Sequence, residues 1–470
     1  MITNLKISGF KSFHDYEMTF TPLTVIAGVN ASGKSNLFDA LHLLARLAET
    51  DLKTAFSEQR GNPDELFTQF ENGGHAKEMK FTVEMLVNRK VKDNWGDEDK
   101  VNNTRLRYEL HISRSESVHG FPKLHINHES LEKIRPNEDS WAKEQIPKSL
   151  NILWKTLRAG GSKEPFIRTE QGDTIAIKLR QDGRQGGKAT PAHAASQTVL
   201  GGINSVDFPH AFAAKEEMRS WYFLRLNPED LREPTKQDAG IRDMMTSSGK
   251  NLASTLFRIK QTDPYALKEI SRKLNAFLPA FTEVDVLDDK ANRQFLIQLK
   301  GEGGSWFSSR VLSEGTLRIL SLCVLEFDDK YSGLLCFEEP ENGIHPFRIK
   351  ATAQLLKDLT TSFESSDDQL RQVIVNTHSP VLINALIAWQ GDKNISVWLS
   401  KQNTLITNLD GDRIKLKVSR VSRVLSQSNR PRQLVIPGLG SEEEQKLTLN
   451  EIVNYLKTTE AEDAINLLKS

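Results

Sequence analysis

Residues 28–35, Gly-Val-Asn-Ala-Ser-Gly-Lys-Ser, place two glycines, a lysine and a hydroxyl at the spacing G-x-x-x-x-G-K-[ST]. Average residue usage gives a chance match in a chain of this length odds of roughly 1–2%. Gly28 and Gly33 let backbone N–H groups turn inward, and a helix that follows aims the positive end of its dipole at the same point. Such a loop cradles phosphates. Lys34 would bridge the β- and γ-oxygens and the Ser35 hydroxyl would ligate Mg²⁺, with Asn30 and Asn36 flanking them. The bland alternative is a glycine turn capping a helix. Context argues against it: Leu23–Ala27 is a β-branched apolar run, and Leu37, Ala40, Leu41, Leu44 and Leu47 recur at helical spacing.

Three further segments carry chemistry. Leu312-Ser-Glu-Gly-Thr316 opens an apolar helix with a hydroxyl and a glycine, a second helix N-terminus able to meet phosphate. Alone, it reads as an N-capped core helix. Then Gly333-Leu-Leu-Cys-Phe-Glu-Glu-Pro340 begins a segment, running to Pro346, in which an apolar strand ends in paired acids. One acid can hold a metal, and the other can deprotonate an attacking water. Adjacent strand residues face opposite ways, so Glu338 and Glu339 serve different roles unless the strand ends between them. Finally, Val373-Ile-Val-Asn-Thr-His-Ser-Pro380 delivers His378 from a buried strand to a loop.

GFKSF, GVNASGKSN, LSEGT, FEEPENGIHP and NTHSP together resemble the ATP-binding-cassette heads of RecF, SMC and OLD-type ATPases. The likeness is greatest to the compact ATPase subunits of prokaryotic anti-phage systems of the Septu, PARIS and Gabija type. It covers about 1–90 and 220–390, including Trp221–Pro228 and Gly249–Ala253. The resemblance implies ATP and Mg²⁺ as ligands. It makes Lys34 and Ser35 Walker A residues, Glu338 the Walker B metal acid, Glu339 the catalytic base and His378 the switch histidine. Ser313 and Gly315 match the signature, and Lys11 and Ser12 the element beside the nucleotide. Gln69 is the candidate for the glutamine that couples metal to the lobe interface. Two departures stand out: glutamate replaces the frequent aspartate at 338, and Glu314 replaces a signature glycine. In such heads the signature of one subunit covers the ATP of another, which implies a homodimer or a higher even-numbered oligomer.

The elements that must position these residues imply an α/β fold with a mostly parallel, covered sheet. The resemblance implies an ATP-binding-cassette head with a mixed or parallel core sheet, an antiparallel β lobe and a helical insertion. The expected division is 1–90 and 291–400 for the two parts of the head, 91–215 for a β-rich insertion and 216–290 for a helical lobe. Residues 401–470 hold a basic strand and C-terminal helices. Lysine plus arginine equals aspartate plus glutamate, 62 each, so no global charge marks a nucleic-acid coat protein. No stretch of eighteen apolar residues predicts a membrane span, and the N-terminus lacks the apolar block of a signal peptide. Cys323 and Cys336 lie in apolar runs as buried thiols. A cytoplasmic protein is expected.

Two functions compete. One is the sensor subunit of an anti-phage complex whose separate effector, a nuclease or toxin, comes from a neighbouring gene. The other is a RecF-like DNA-binding ATPase of repair. A self-contained nuclease fails on inventory, because the Asp410-Gly-Asp412 pair suits a hairpin turn better than a metal site. From Arg413 to Arg432 run seven basic residues and no acid, either a track for DNA phosphates or a charged strand edge. Apolar residues at Leu447, Leu449, Ile452, Val453 and Leu456 predict a helix that docks on the core or binds a partner.

Overall fold

The computed structural model describes residues 1–116, 122–158, 164–172, 175–180, 187–192, 195–237, 243–365, 369–389, 391–409, 412–424, 452–454 and 456–457. Its core sheet has six strands: β1 (Leu23–Ala27), β2 (Tyr222–Leu224), β3 (Gly333–Glu338), β4 (Arg371–Thr377), β5 (Ile395–Leu409) and β6 (Asp412–Arg423). Their spatial order is β2-β3-β4-β1-β5-β6. The first five run parallel, and β6 closes antiparallel on β5.

The continuous apolar runs follow from burial on both faces. Leu23, Val25 and Ala27 of β1 enter one hydrophobic cluster, with Leu335 and Phe337 of β3 and Val373 and Val375 of β4. The alternate residues Ile26, Leu334, Cys336 and Ile374 enter another on the opposite face. The helix Lys34–Leu47 covers that second side with Leu37, Leu41 and Leu44, all buried as their spacing predicts. Both cysteines are buried free thiols, and burial raises the pKa of each.

An eight-stranded antiparallel sheet packs over the same helix. Its order is Gly187–Pro191, Ala176–Arg180, Ile167–Glu170, Pro122–Lys133, Arg105–Glu116, Glu78–Leu86, Ile2–Ser8 and Tyr16–Thr19. It therefore crosses the boundary expected at residue 90, because the N-terminal strand is one of its members. Helices Leu252–Thr262 and Pro264–Phe277 pack on a smaller sheet that includes Phe281–Asp289 and Gln294–Gly301.

The ladder between β5 and β6 closes with Leu409 opposite Asp412, the hairpin expected there, while Asp410 lies outside the described residues. Along β6, Ile414, Leu416 and Val418 point inward and Lys415 and Lys417 outward. Its free edge is partly covered, since the Ser419 N–H donates to Ser12 O and the Glu71 N–H to Lys415 O. Arg430 and Arg432 lie outside the described residues, as do Leu447 and Leu449. Ile452, Val453 and Leu456 are buried in the core cluster of β1, so this part of the tail docks on its own chain.

Candidate functional site

The parallel strands bring four loops to one edge of the sheet, where α/β folds bind ligands. The glycine loop follows β1, Arg225 follows β2, Glu339 follows β3 and His378 follows β4. Register sets their spacing: Ala27 pairs with Thr377, Glu338 with Asn376, and Leu224 with Phe337.

In the glycine loop the Lys34 ammonium donates to the carbonyls of Gly28 and Val29 at 2.7 and 2.8 Å. Burial pulls its pKa down to about 8, opposed by the charges of Glu339 and Glu341. Two neutral carbonyls are weak partners for a buried ammonium, and anionic phosphate oxygens would serve it better. Gly33 adopts φ +93°, and a Cβ there would collide with Ser419 Oγ. That collision shows how closely β6 walls the loop. Ser419 Oγ lies 2.8 Å from Ser12 Oγ, which accepts from Asn36 Nδ2 at 2.8 Å. Ser400 Oγ of β5 donates to Ser32 O. Ser35 and Asn30 are exposed at the loop's mouth.

Lys11, at φ 45°, reaches Asp39 Oδ2 at 2.6 Å, and Arg60 holds Asp39 Oδ1 through Nε and Nη2 at 3.0 and 2.7 Å. Arg60 Nη2 also stands 3.7 Å from Glu338 Oε1, while Arg225 Nε stands 3.0 Å from Glu338 Oε2. Glu338 Oε1 is buried without a hydrogen-bond partner. An orphaned carboxylate oxygen on this edge fits a hard divalent cation.

The paired acids do separate. β3 ends at Glu338, and Glu339 turns at φ 48° with its N–H donating to the Asn376 carbonyl. Its carboxylate then meets His378 Nδ1 at 3.0 Å and accepts from Asn342 Nδ2 at 2.7 Å. Behind them Thr377 Oγ1 donates to the buried Glu341 carboxyl, whose pKa burial raises, and accepts from the Ser379 N–H at 2.9 Å.

Ser313 is the N-cap of helix Glu314–Phe327, accepting from the Thr316 N–H. Glu314 is tied to Arg318 Nε at 2.8 Å. A Cβ on Gly343 would strike Glu314 Oε1, and one on Gly315 would lie 3.1 Å from Gly343 O. The signature helix start thus packs on the turn after Glu339. Gln69 is exposed and bridges His75 through its backbone. No described hydrogen bond or ion pair links it to Glu338 or Ser35.

Sequence reasoning missed Asp39, Arg60, Arg225, Glu341 and Ser419. A lone acid within Leu37-Phe-Asp-Ala-Leu41, buried on an apolar helix face, was the available signal for Asp39. Nothing local marks Ser419.

A family model described as "AAA domain, putative AbiEii toxin, Type IV TA system" matches residues 23–384. The chain belongs to this family. It thus carries an AAA domain, the class of fold to which ATP hydrolysis generally belongs. DNA replication and repair protein RecF of Synechococcus sp. (strain JA-2-3B'a(2-13)) is 38% identical over 64 residues, 13% of this chain and 17% of that protein. Among solved structures, an SmcHead bound to the C-winged helix domain of ScpA overlaps 91% of this chain and 98% of its own, at 15% identity and TM-score 0.46. The SMC head domain from Thermotoga maritima overlaps 90% and 98%, at 14% identity and TM-score 0.36. Among the described residues, no helix is long and apolar enough to cross a membrane.

Proposed function

We propose that this chain binds and slowly hydrolyses ATP, and that the nucleotide switches it between open and closed pairs of heads. The observation that carries this is the convergence on one sheet edge of Lys34 in its glycine loop, the half-orphaned Glu338 and the Glu339–His378 couple. Lys34 exchanges its two carbonyls for the β- and γ-phosphates, with Gly28, Asn30, Gly33 and Asn36 shaping the loop around them. Ser35 and Glu338 would hold Mg²⁺, which, when bound, neutralises phosphate charge. Glu339 takes the proton of the attacking water, while Asn342 and His378 fix its carboxylate. Ser313 and Gly315 would meet the nucleotide of a second copy. Lys11 and Ser12 act from the side, Lys11 through Asp39.

The switch serves an anti-phage complex, regulating a separate effector that is a nuclease or toxin. The family's description, which names a type IV TA system, supports a paired system. The alternative is a RecF-like clamp on DNA, favoured by exposed Lys415 and Lys417 on β6 and by the short RecF match. The experiment is the solution mass of Glu339→Gln with and without Mg·ATP, repeated with duplex DNA and with the neighbouring gene's product. ATP-driven pairing that captures the protein partner supports the defence reading. Salt-sensitive DNA binding without that capture supports the clamp, and no response to ATP sinks both.

A further inference from the structure

Glu338 is the last residue of β3, and a carboxylate there must present one chosen oxygen to its ligand. Its neighbours already divide the two oxygens. Arg225 Nε stands at 3.0 Å from Oε2, whereas Oε1 has no hydrogen bond. Register explains the pairing: Leu224 lies opposite Phe337, so Arg225 emerges beside Glu338. Among the described residues Arg60 is the other cation within 4 Å, but its Nε and Nη2 are engaged by Asp39, and it stays 3.7 Å away.

The segment that begins at Arg225 is itself tethered. Its own N–H donates to Ser247 O, and that of Asn227 to Ser248 O. Leu226 O accepts from Arg318 Nη2 at 3.1 Å, and Arg318 Nε holds Glu314 at the start of the signature helix. Farther along, Arg232 Nε reaches Leu312 O at 3.4 Å, and Arg232 O accepts from Ser309 Oγ at 2.9 Å. Residues 225–232 therefore form a strap from the Glu338 carboxylate to both sides of Leu312-Ser313-Glu314.

We infer that Arg225 is a positioning residue: it holds Glu338 Oε2 so that Oε1 faces the divalent cation, and through the strap it ties that orientation to the signature of the same chain. This rests on the nucleotide reading of the site. A cation beside a metal ligand can also act as a competitor for the carboxylate. The two roles differ in sign. An orienting arginine strengthens metal binding, and a competing one weakens it.

The test is a Mn²⁺ titration, read by electron paramagnetic resonance, of the full chain loaded with a non-hydrolysable ATP analogue. Arg225→Met should bind Mn²⁺ about tenfold more weakly, the factor expected when one glutamate regains its side-chain freedom. Arg225→Lys should fall between Met and wild type, since ammonium keeps the charge without the planar fork. Analogue affinity without metal should stay within about twofold, because no described hydrogen bond or ion pair joins Arg225 to the glycine loop. Melting should change little for a half-exposed side chain. Hydrogen exchange at 312–316 should respond to Mn²⁺ in wild type and respond less in Arg225→Met. Unchanged or tighter Mn²⁺ binding in Arg225→Met overturns the inference. Absence of any analogue-dependent Mn²⁺ site in wild type, matched by Lys34→Ala, would instead overturn the nucleotide reading on which it stands.

Discussion

His378 Nδ1 lies 3.0 Å from Glu339 Oε1, at the ends of adjacent parallel strands. With Asn342 on the second oxygen, the carboxylate is fixed before any substrate arrives. Removing its basicity should spare binding and remove chemistry. Glu339→Gln is expected to lower kcat by about 10²–10⁴-fold while the ATP dissociation constant changes by less than about threefold, within the range of a lost neutral contact. Single-turnover kinetics beside equilibrium binding checks both. Near-normal turnover would move the base elsewhere.

On the proposed function, Lys34 should make nucleotide affinity depend on pH. Burial lowers its pKa to about 8, whereas phosphates favour the charged ammonium. Below pH 8 the charge is already present and affinity should be level. Above pH 8 binding must first take up a proton, so affinity should fall by up to about tenfold per pH unit. Calorimetry in two buffers of different ionisation heat, from about pH 7 to about 9.5, would show proton uptake appearing above the lysine's pKa. Level affinity with no uptake contradicts the assignment. Lys34→Ala should weaken binding by at least about 100-fold at neutral pH, the loss of a charge-assisted pair.

Gly33→Ala should damage the loop through β6. The new Cβ would collide with Ser419 Oγ and sit at φ +93°, at an expected cost of about 1–3 kcal/mol and a matching loss of ATP affinity. Adding Ser419→Gly relieves the collision but leaves the backbone strain, so it should restore only part. Full restoration would show the strain to be negligible.

Away from the site, Arg105 is a stability test. Its side chain is 1% exposed, forks onto the buried Asp139 at 2.8 and 3.0 Å, and donates to Thr3 Oγ1 at 2.7 Å. Arg105→Met strands the Asp139 carboxylate and should cost about 3–5 kcal/mol, read by chemical denaturation. Turnover per folded molecule should not change.

The glycine loop, the paired acids where β3 ends and His378 were legible because each is a short run whose neighbours in sequence are its neighbours in space. The buried strands were legible too, since double-sided burial leaves unbroken apolar runs such as Leu334 to Phe337. What binds these pieces was not. Asp39 finds Lys11 and Arg60, Glu338 finds Arg225, and Gly33 finds Ser419 only once the sheets have closed. The eight-stranded sheet recruits Ile2–Ser8 beside Glu78–Leu86 through pairings that alternation alone leaves open. The turn at Glu339 was undecidable from two adjacent glutamates, because a left-handed φ at a non-glycine residue leaves no local trace.

The wall that Ser419 lends to the glycine loop also sets an order of events during synthesis. β1 and its helix leave the ribosome before the strand that closes around Gly33, which is made last among the six strands of the core sheet. A nascent chain that already carries every residue of the glycine loop still lacks this wall until β5 and β6 pair and dock on β1.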